Sequence, residues 1–156
     1  LETLTSPRAC AAMLCSDMQE LWIARSNGEA AGLAAVSFQR AGGEGAAVDS
    51  VGAGVSIAPL AVLEKIYVRP RFHGSGVADA LMAHAIAMCR DRGCETLDLL
   101  VWGRNSRALA FYKRWGFIRV GQTNVSWLGA VFCDRRLRLE IADLPPPRVD
   151  AIEVDS

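Results

Sequence analysis

Three groupings in the sequence set reactive side chains at spacings that matter for chemistry. The run Arg71-Phe72-His73-Gly74-Ser75-Gly76-Val77-Ala78 is a basic glycine turn directly before an amphipathic stretch. At such a junction the first helical amides lack partners, and with the helix dipole they point at an anion. The amides from Gly74 to Ala78 are expected to be free for that purpose, with Arg71 and His73 at the rim. Glu64 alternates with Ile66 and Val68, which places a carboxylate on an otherwise apolar strand face. A carboxylate so placed can serve as a general base. A strand carboxylate reaching solvent at the sheet end is the plainer alternative. Tyr112 follows Asn105 by seven positions, about two helical turns, so both can face one ligand. A phenol acid and a core ring with a bonded hydroxyl are both open for Tyr112.

The anion is not that of a common nucleotide loop. A Walker loop continues from its last glycine with Lys and then Ser or Thr, and here Val77 and Ala78 follow Gly76. A dinucleotide fingerprint needs a small residue where Asp79 stands.

These groups need elements to hold them. Ser6-Pro7 reads as a cap and first helical position for a short helix to about Asp17. LWIARS and GLAAVSFQ are two strands joined by a hairpin at Asn27-Gly28, a pair that supplies positive φ angles. AGGEGAAVDSVGAG precedes no helix and reads as a loop rather than a second anion site. AVLEKIYVRP is a strand that stops at Pro70 and delivers the chain to the glycine turn. Val77, Leu81, Ala85 and Cys89, flanked by Ala78, Met82 and Ile86, form an apolar helical stripe ending near Gly93. CETLDLLVW is a strand, Asn105 caps a helix through NSRALAFYKRW, and Gly116 ends it. FIRVGQTNVSW and VFCDRRLRLEI are closing strands around a Leu128-Gly129 turn. The pattern predicts one α/β domain over residues 1–144, with the proline-rich tail 145–156 outside its core.

Composition narrows the function. The 156 residues are 51% apolar, and 17 basic side chains balance 17 acidic ones, so no net field argues for nucleic acid or an anionic membrane. No apolar run approaches the roughly 20 residues of a membrane span, and LETLTSPRAC lacks the pattern of a signal peptide, so a cytoplasmic protein is expected. Cys10, Cys15, Cys89, Cys94 and Cys133 are odd in number without CxxC spacing, which favours neither disulfides nor zinc. His84 falls opposite the helical stripe without a partner at ligand spacing and reads as solvated, so no metal site is expected. Trp127, in the last hairpin, could stack on a cationic ligand, although packing is its plainer role.

LEKIYVRPRFHGSGVADAL, GCETLDLLVW and NSRALAFYKRWGF, in this order and at these distances, resemble the GNAT superfamily of acetyl-coenzyme A dependent N-acetyltransferases. Arg71, Gly74 and Gly76 match its [RQ]-x-x-G-x-[GA] signature, and Asn105, Ala108 and Tyr112 its N-x-x-A-x-x-x-Y motif. The likeness runs from about Leu21 to Leu139, and LEKIYVRP, GRNSRALAFYKRWGF and the V-S-W-L-G turn are most similar to polyamine acetyltransferases. The resemblance implies a mixed, mostly antiparallel sheet flanked by helices, whose opening strand and helix are expected to be missing ahead of the first helix read here. It implies acetyl-coenzyme A as co-substrate, no metal, and direct attack by a primary amine of a small molecule, a polyamine among the candidates.

Pyrophosphate would sit on Arg71, His73, Gly74, Ser75, Gly76, Val77 and Ala78. The pantetheine arm would meet the backbone of Ile66, Tyr67 and Val68, together with Asn105 and Ala108. By the same likeness Tyr112 protonates the leaving thiolate, Glu64 contacts the amine, and Trp127 lies on the acceptor side. A protein N-terminus or an aminoglycoside-type antibiotic remains an alternative acceptor. A non-catalytic coenzyme A-binding module remains an alternative role, and a homodimer is left open.

Overall fold

Asn27 and Gly28 adopt φ angles of 52° and 78°, closing a hairpin between strands β1 (Gln19–Ser26) and β2 (Glu29–Gln39). The computed structural model describes residues 18–39, 59–127, 129–142, 144–145 and 153–155. The helix expected to about Asp17, the expected lack of an opening strand and helix ahead of it, and the glycine-rich loop before residue 55 all fall outside the described residues.

Strand β3 (Leu60–Val68) leads through a 3-10 turn at Pro70–Phe72 into helix α1 (Val77–Asp91), followed by β4 (Thr96–Trp102) and α2 (Ser106–Arg114). Strands β5 (Ile118–Trp127) and β6 (Ala130–Glu140) form the last long hairpin, its turn containing Gly129 at φ 79°. A short β7 (Glu153–Asp155) from the proline-rich segment pairs with β1 at the sheet edge. The sheet order is β5-β6-β4-β3-β2-β1-β7, and only the β3–β4 pair among its ladders is parallel. This is the mixed, mostly antiparallel α/β sheet expected. No described helix is long and apolar enough to cross a membrane.

The stripe on α1 packs as its spacing predicts. Val77, Leu81, Met82, Ala85, Ile86 and Cys89 are buried against Trp22, Ala24, Ala34 and Val36 of the sheet. Each large side chain so buried contributes about 1.5–3 kcal/mol. Past the helix, Gly93 takes φ 73° and donates to the Arg90 carbonyl, as a glycine stop should.

His84 is not solvated. Its ring meets buried Trp22 edge-on at 5.2 Å, and its buried Nε2 has no hydrogen-bond partner among the described residues. Burial holds its pKa below the ordinary histidine value. The breadth of Trp22 extends the buried strip around α1 beyond what the helical period marks.

Gly32 permits this packing to come close. A Cβ there would stand 2.6 Å from the Tyr67 carbonyl oxygen on β3 and 3.2 Å from both Leu81 and Val77 of α1. Gly32→Ala is therefore expected to cost about 1–3 kcal/mol, an overpacking penalty measurable as a lower urea midpoint. An unchanged midpoint would show that β2 and β3 spread apart freely.

Candidate active site

The parallel pairing of β3 with β4 is confined to Ala61↔Leu97 and Val62↔Asp98. Beyond those pairs β3 runs on to Val68 and β4 to Trp102, so the two strands part and leave the β4-facing backbone edge of β3 without a ladder partner. Unpaired strand groups favour an extended ligand that supplies the missing hydrogen bonds.

Glu64 stands where the strands part, but not on the face expected for it. The β2–β3 register passes from Val36↔Leu63 to Ala35↔Lys65, so Glu64 is the extra residue of a β-bulge. Gly32, Ala34 and Val36 face α1, and their partners Val68, Ile66 and Leu63 share that face. Glu64 instead accepts a 2.6 Å hydrogen bond from the Ser37 hydroxyl on the opposite face and is exposed. The bulge thus moves the carboxylate out of the apolar row and onto the face of the sheet opposite α1. Ser37, itself buried, is a partner that the sequence pattern did not mark.

The glycine turn has the expected form. Gly74 and Gly76 take φ 80° and 85°, and the space where a Gly74 Cβ would stand is open. Among the described residues no carbonyl accepts from the amides of Gly74, Gly76, Val77 or Ala78, and the first turn of α1 opens with Ala80 donating to Gly76. The Ser75 amide is an exception to the expected run of free donors: it bonds the Phe72 carbonyl at 3.2 Å and shapes the turn. The Ser75 hydroxyl bonds the same oxygen at 2.6 Å.

The charged side chains are already sorted. Arg71 pairs with Glu29, which also meets Arg69 at 3.1 Å. Asp79 is turned away from the anion position by Arg114 at 2.8 Å and the Trp115 indole at 3.0 Å. His73 bonds the Val68 carbonyl oxygen and Arg107, each at 2.9 Å. Sequence reading passed over Arg107, although it occupies a variable position of the Asn105–Tyr112 motif.

Asn105 caps α2 by accepting from the Ala108 amide at 3.1 Å. Tyr112, on the same helix, is buried with its ring edge-on to Phe111 and Phe117 at 5.5 and 5.4 Å. Burial pushes its phenol up to about 12. Trp127 ends β5 opposite Ala130; its side chain lies outside the described part of the structure.

A buried charge also escaped the sequence reading. Asp98, 3% exposed, receives Arg136 at 3.1 and 2.8 Å and Arg138 at 2.7 and 2.9 Å. Its burial alone would raise the carboxyl pKa, but hydrogen bonds and charge from the two arginines outweigh this and hold it low. Its register partner Val62 also pairs with Ser37, so Asp98 and Glu64 share the face opposite α1. Exposed Leu100 and Trp102 follow Asp98 on that face, and Trp102 meets Phe132 edge-on at 6.4 Å. No group of three or more metal-ligating side chains occurs among the described residues.

Comparison with known proteins accords with this geometry. The model of the acetyltransferase (GNAT) family matches residues 5–117. An uncharacterized N-acetyltransferase of Mycobacterium bovis is 40% identical over 68 residues, a stretch covering 44% of this chain and 43% of the relative. The thialysine N-epsilon-acetyltransferase of Bos taurus is 37% identical over 54 residues, 35% of this chain and 32% of the relative. The matched stretches thus span less than half of each relative. Among solved structures, Arabidopsis thaliana NAA60 in complex with acetyl-CoA superposes with a TM-score of 0.65 at 20% identity, covering 81% of this chain and 78% of that one.

Proposed function

Since the chain belongs to the GNAT acetyltransferase family, we propose that it transfers the acetyl group of acetyl-coenzyme A to a primary amine of a small molecule. The observation that carries this reading is the parting of β3 from β4 beside a glycine turn with unpartnered amides. An extended pantetheine suits the open edge at Ile66, Tyr67 and Val68, and pyrophosphate suits the amides of Gly74, Gly76, Val77 and Ala78 with the rim residues Arg71, His73 and Ser75. Asn105 and Ala108 flank the arm from α2.

Acetyl-coenzyme A supplies an activated thioester, and the chain supplies position, a proton acceptor and a proton donor. Glu64, fixed by Ser37, takes the amine proton directly or through water. Tyr112 supports the departing thiolate. The attack is read as direct; of the described cysteines, the buried Cys89 and Cys94 make poor nucleophiles, because burial raises both thiols, Cys89 to about 12.

A polyamine-like acceptor is the reading for the amine, with Glu64 drawing the cationic group and Trp127 placed at the acceptor side. The likeness to thialysine N-epsilon-acetyltransferases favours a compact amine of that kind. A peptide N-terminus is the second reading, favoured by exposed Leu100, Trp102 and Phe132 beside the acceptor face, an apolar floor that a polyamine does not need. A domain of residues 1–144 and a cytoplasmic setting complete the proposal, with the tail 145–156 returning to the sheet edge through β7 rather than lying wholly outside the fold.

Thiol release measured across a panel of diamines, polyamines, amino acid amides, aminoglycosides and short peptides tests the acceptor class. Coenzyme A binding without turnover on any of them would favour a non-catalytic module. The cofactor position has its own test. Gly74→Ala probes the strain of a side chain at φ 80° and is expected to weaken coenzyme A binding modestly. Gly74→Glu adds a negative charge at the anion and is expected to weaken binding at least about a hundredfold by calorimetry. Equal affinity in the two variants would move the pyrophosphate elsewhere.

A further inference from the structure

Among the described residues no carboxylate pairs with Arg107, unlike the arginines nearer the glycine turn. Arg69 and Arg71 face Glu29, and Arg114 faces Asp79. Arg107, on the first turn of α2, donates instead to Nδ1 of His73 at 2.9 Å. The other ring nitrogen, Nε2, lies 2.9 Å from the Val68 carbonyl oxygen. A carbonyl can only accept, so Nε2 carries the proton, and Nδ1 is left bare to receive the guanidinium. His73 is therefore a neutral imidazole in this arrangement. The chain of contacts from Val68 through His73 to Arg107 links the end of β3 to the start of α2, across the gap where the two strands have parted.

A neutral imidazole is a poor final partner for a guanidinium. Phosphate oxygens carry charge and match its planar fork, so they compete strongly for it. Both contacts of His73 are exposed, which makes Arg107 inexpensive to release. The unpartnered turn amides adjoin His73 in the chain, so a phosphate held there would lie within the reach of a long side chain.

We propose that Arg107 is a phosphate-binding residue of this cleft, held on His73 until the cofactor enters and then transferred to one of its phosphates. The inference rests on the coenzyme A reading above and adds a residue that neither sequence motif specifies. It also gives His73 the role of positioning Arg107 rather than of meeting the anion itself.

Calorimetric titration of the whole chain with coenzyme A and with dephospho-coenzyme A, which lacks the 3′-phosphate, tests the proposal. Arg107→Ala is expected to weaken coenzyme A binding about tenfold to a hundredfold, the scale of a charged hydrogen bond. The apo thermal midpoint should stay within about 2 °C of wild type, because the side chain is exposed. Equal losses for both ligands place Arg107 on the pyrophosphate, and a loss confined to coenzyme A places it on the 3′-phosphate. Arg107→Lys should recover part of the affinity, since it keeps the charge but not the fork. His73→Ala keeps the arginine and removes a contact that it gives up on binding, so no loss is expected, and a gain of up to roughly threefold on the scale of one hydrogen bond. Wild-type affinity in Arg107→Ala overturns the proposal, as does a loss matched by a collapsed thermal midpoint that lysine fails to restore. Failure of the wild-type chain to bind coenzyme A overturns the cofactor reading itself, and this inference with it.

Discussion

Tyr112→Phe should lower turnover by about 10²-fold, the low end of the 10²–10⁴ range for loss of a positioned acid, with coenzyme A affinity nearly unchanged. The low end follows from burial. The phenol sits at about 12, whereas a thiol leaving group sits near ~8.5, so complete transfer from Tyr112 to the thiolate runs uphill by roughly 3–4 pKa units. Its contribution is then a hydrogen bond that strengthens as negative charge gathers on sulfur, rather than finished protonation. Turnover at the wild-type level would show that water or another group serves the thiolate, and that Tyr112 is a core residue only.

The same burial makes a prediction that needs no substrate. The folded-state phenol is raised above its unfolded value of ~10, so between pH ~10 and ~12 the unfolded chain loses a proton that the folded chain keeps. Stability should fall as pH rises through that window, by about 2 kcal/mol at pH 12. In Tyr112→Phe this part of the alkaline loss should vanish from urea titrations, while the ring contacts with Phe111 and Phe117 keep the core packed.

What could be read from the sequence follows from which interactions are local. The α1 stripe, the Asn27-Gly28 hairpin, the Asn105 cap and the glycine stops at Gly93 and Gly116 depend on residues within a few positions of each other, and each stands where its pattern places it. The parting of β3 and β4 was invisible because it is a missing ladder between segments over 30 residues apart. Arg107 and His73 meet across a similar separation, 34 residues.

Glu64 is more instructive. Strict alternation assigned it to the face of Ile66 and Val68, yet the apolar residues facing α1 are Ala61 and Leu63 before the bulge, and Ile66 and Val68 after it. The phase slip is visible as two adjacent charged residues, Glu64-Lys65, inside an apolar strand. One extra residue is what reverses the face of a side chain. His84 failed differently, because a broad partner, Trp22, buries a position that the helix period alone leaves outside.

The bulge sharpens the test of Glu64. Glu64→Gln keeps the size of the side chain, and its amide oxygen can still accept from Ser37, so the variant removes charge and basicity with little change in shape. If the carboxylate removes the amine proton, turnover at saturating acceptor should fall about 10²–10⁴-fold, and the limb of the pH–rate profile due to its ionisation should disappear. If it only attracts a cation, the Michaelis constant should rise while turnover holds. Both effects are expected, because a carboxylate exposed at the parting of the strands can meet the ammonium form and take its proton in sequence. Cationic di- and polyamines should lose the most and peptide N-termini the least, since a second positive charge near Glu64 adds attraction that an apolar body lacks. Ser37→Ala should reproduce a weaker version of the turnover defect, by freeing the carboxylate to rotate away from the bulge. A Glu64→Gln enzyme equal to wild type on every amine would remove the chief support for a polyamine-like acceptor. The apolar floor of Leu100, Trp102 and Phe132 would then point to a peptide.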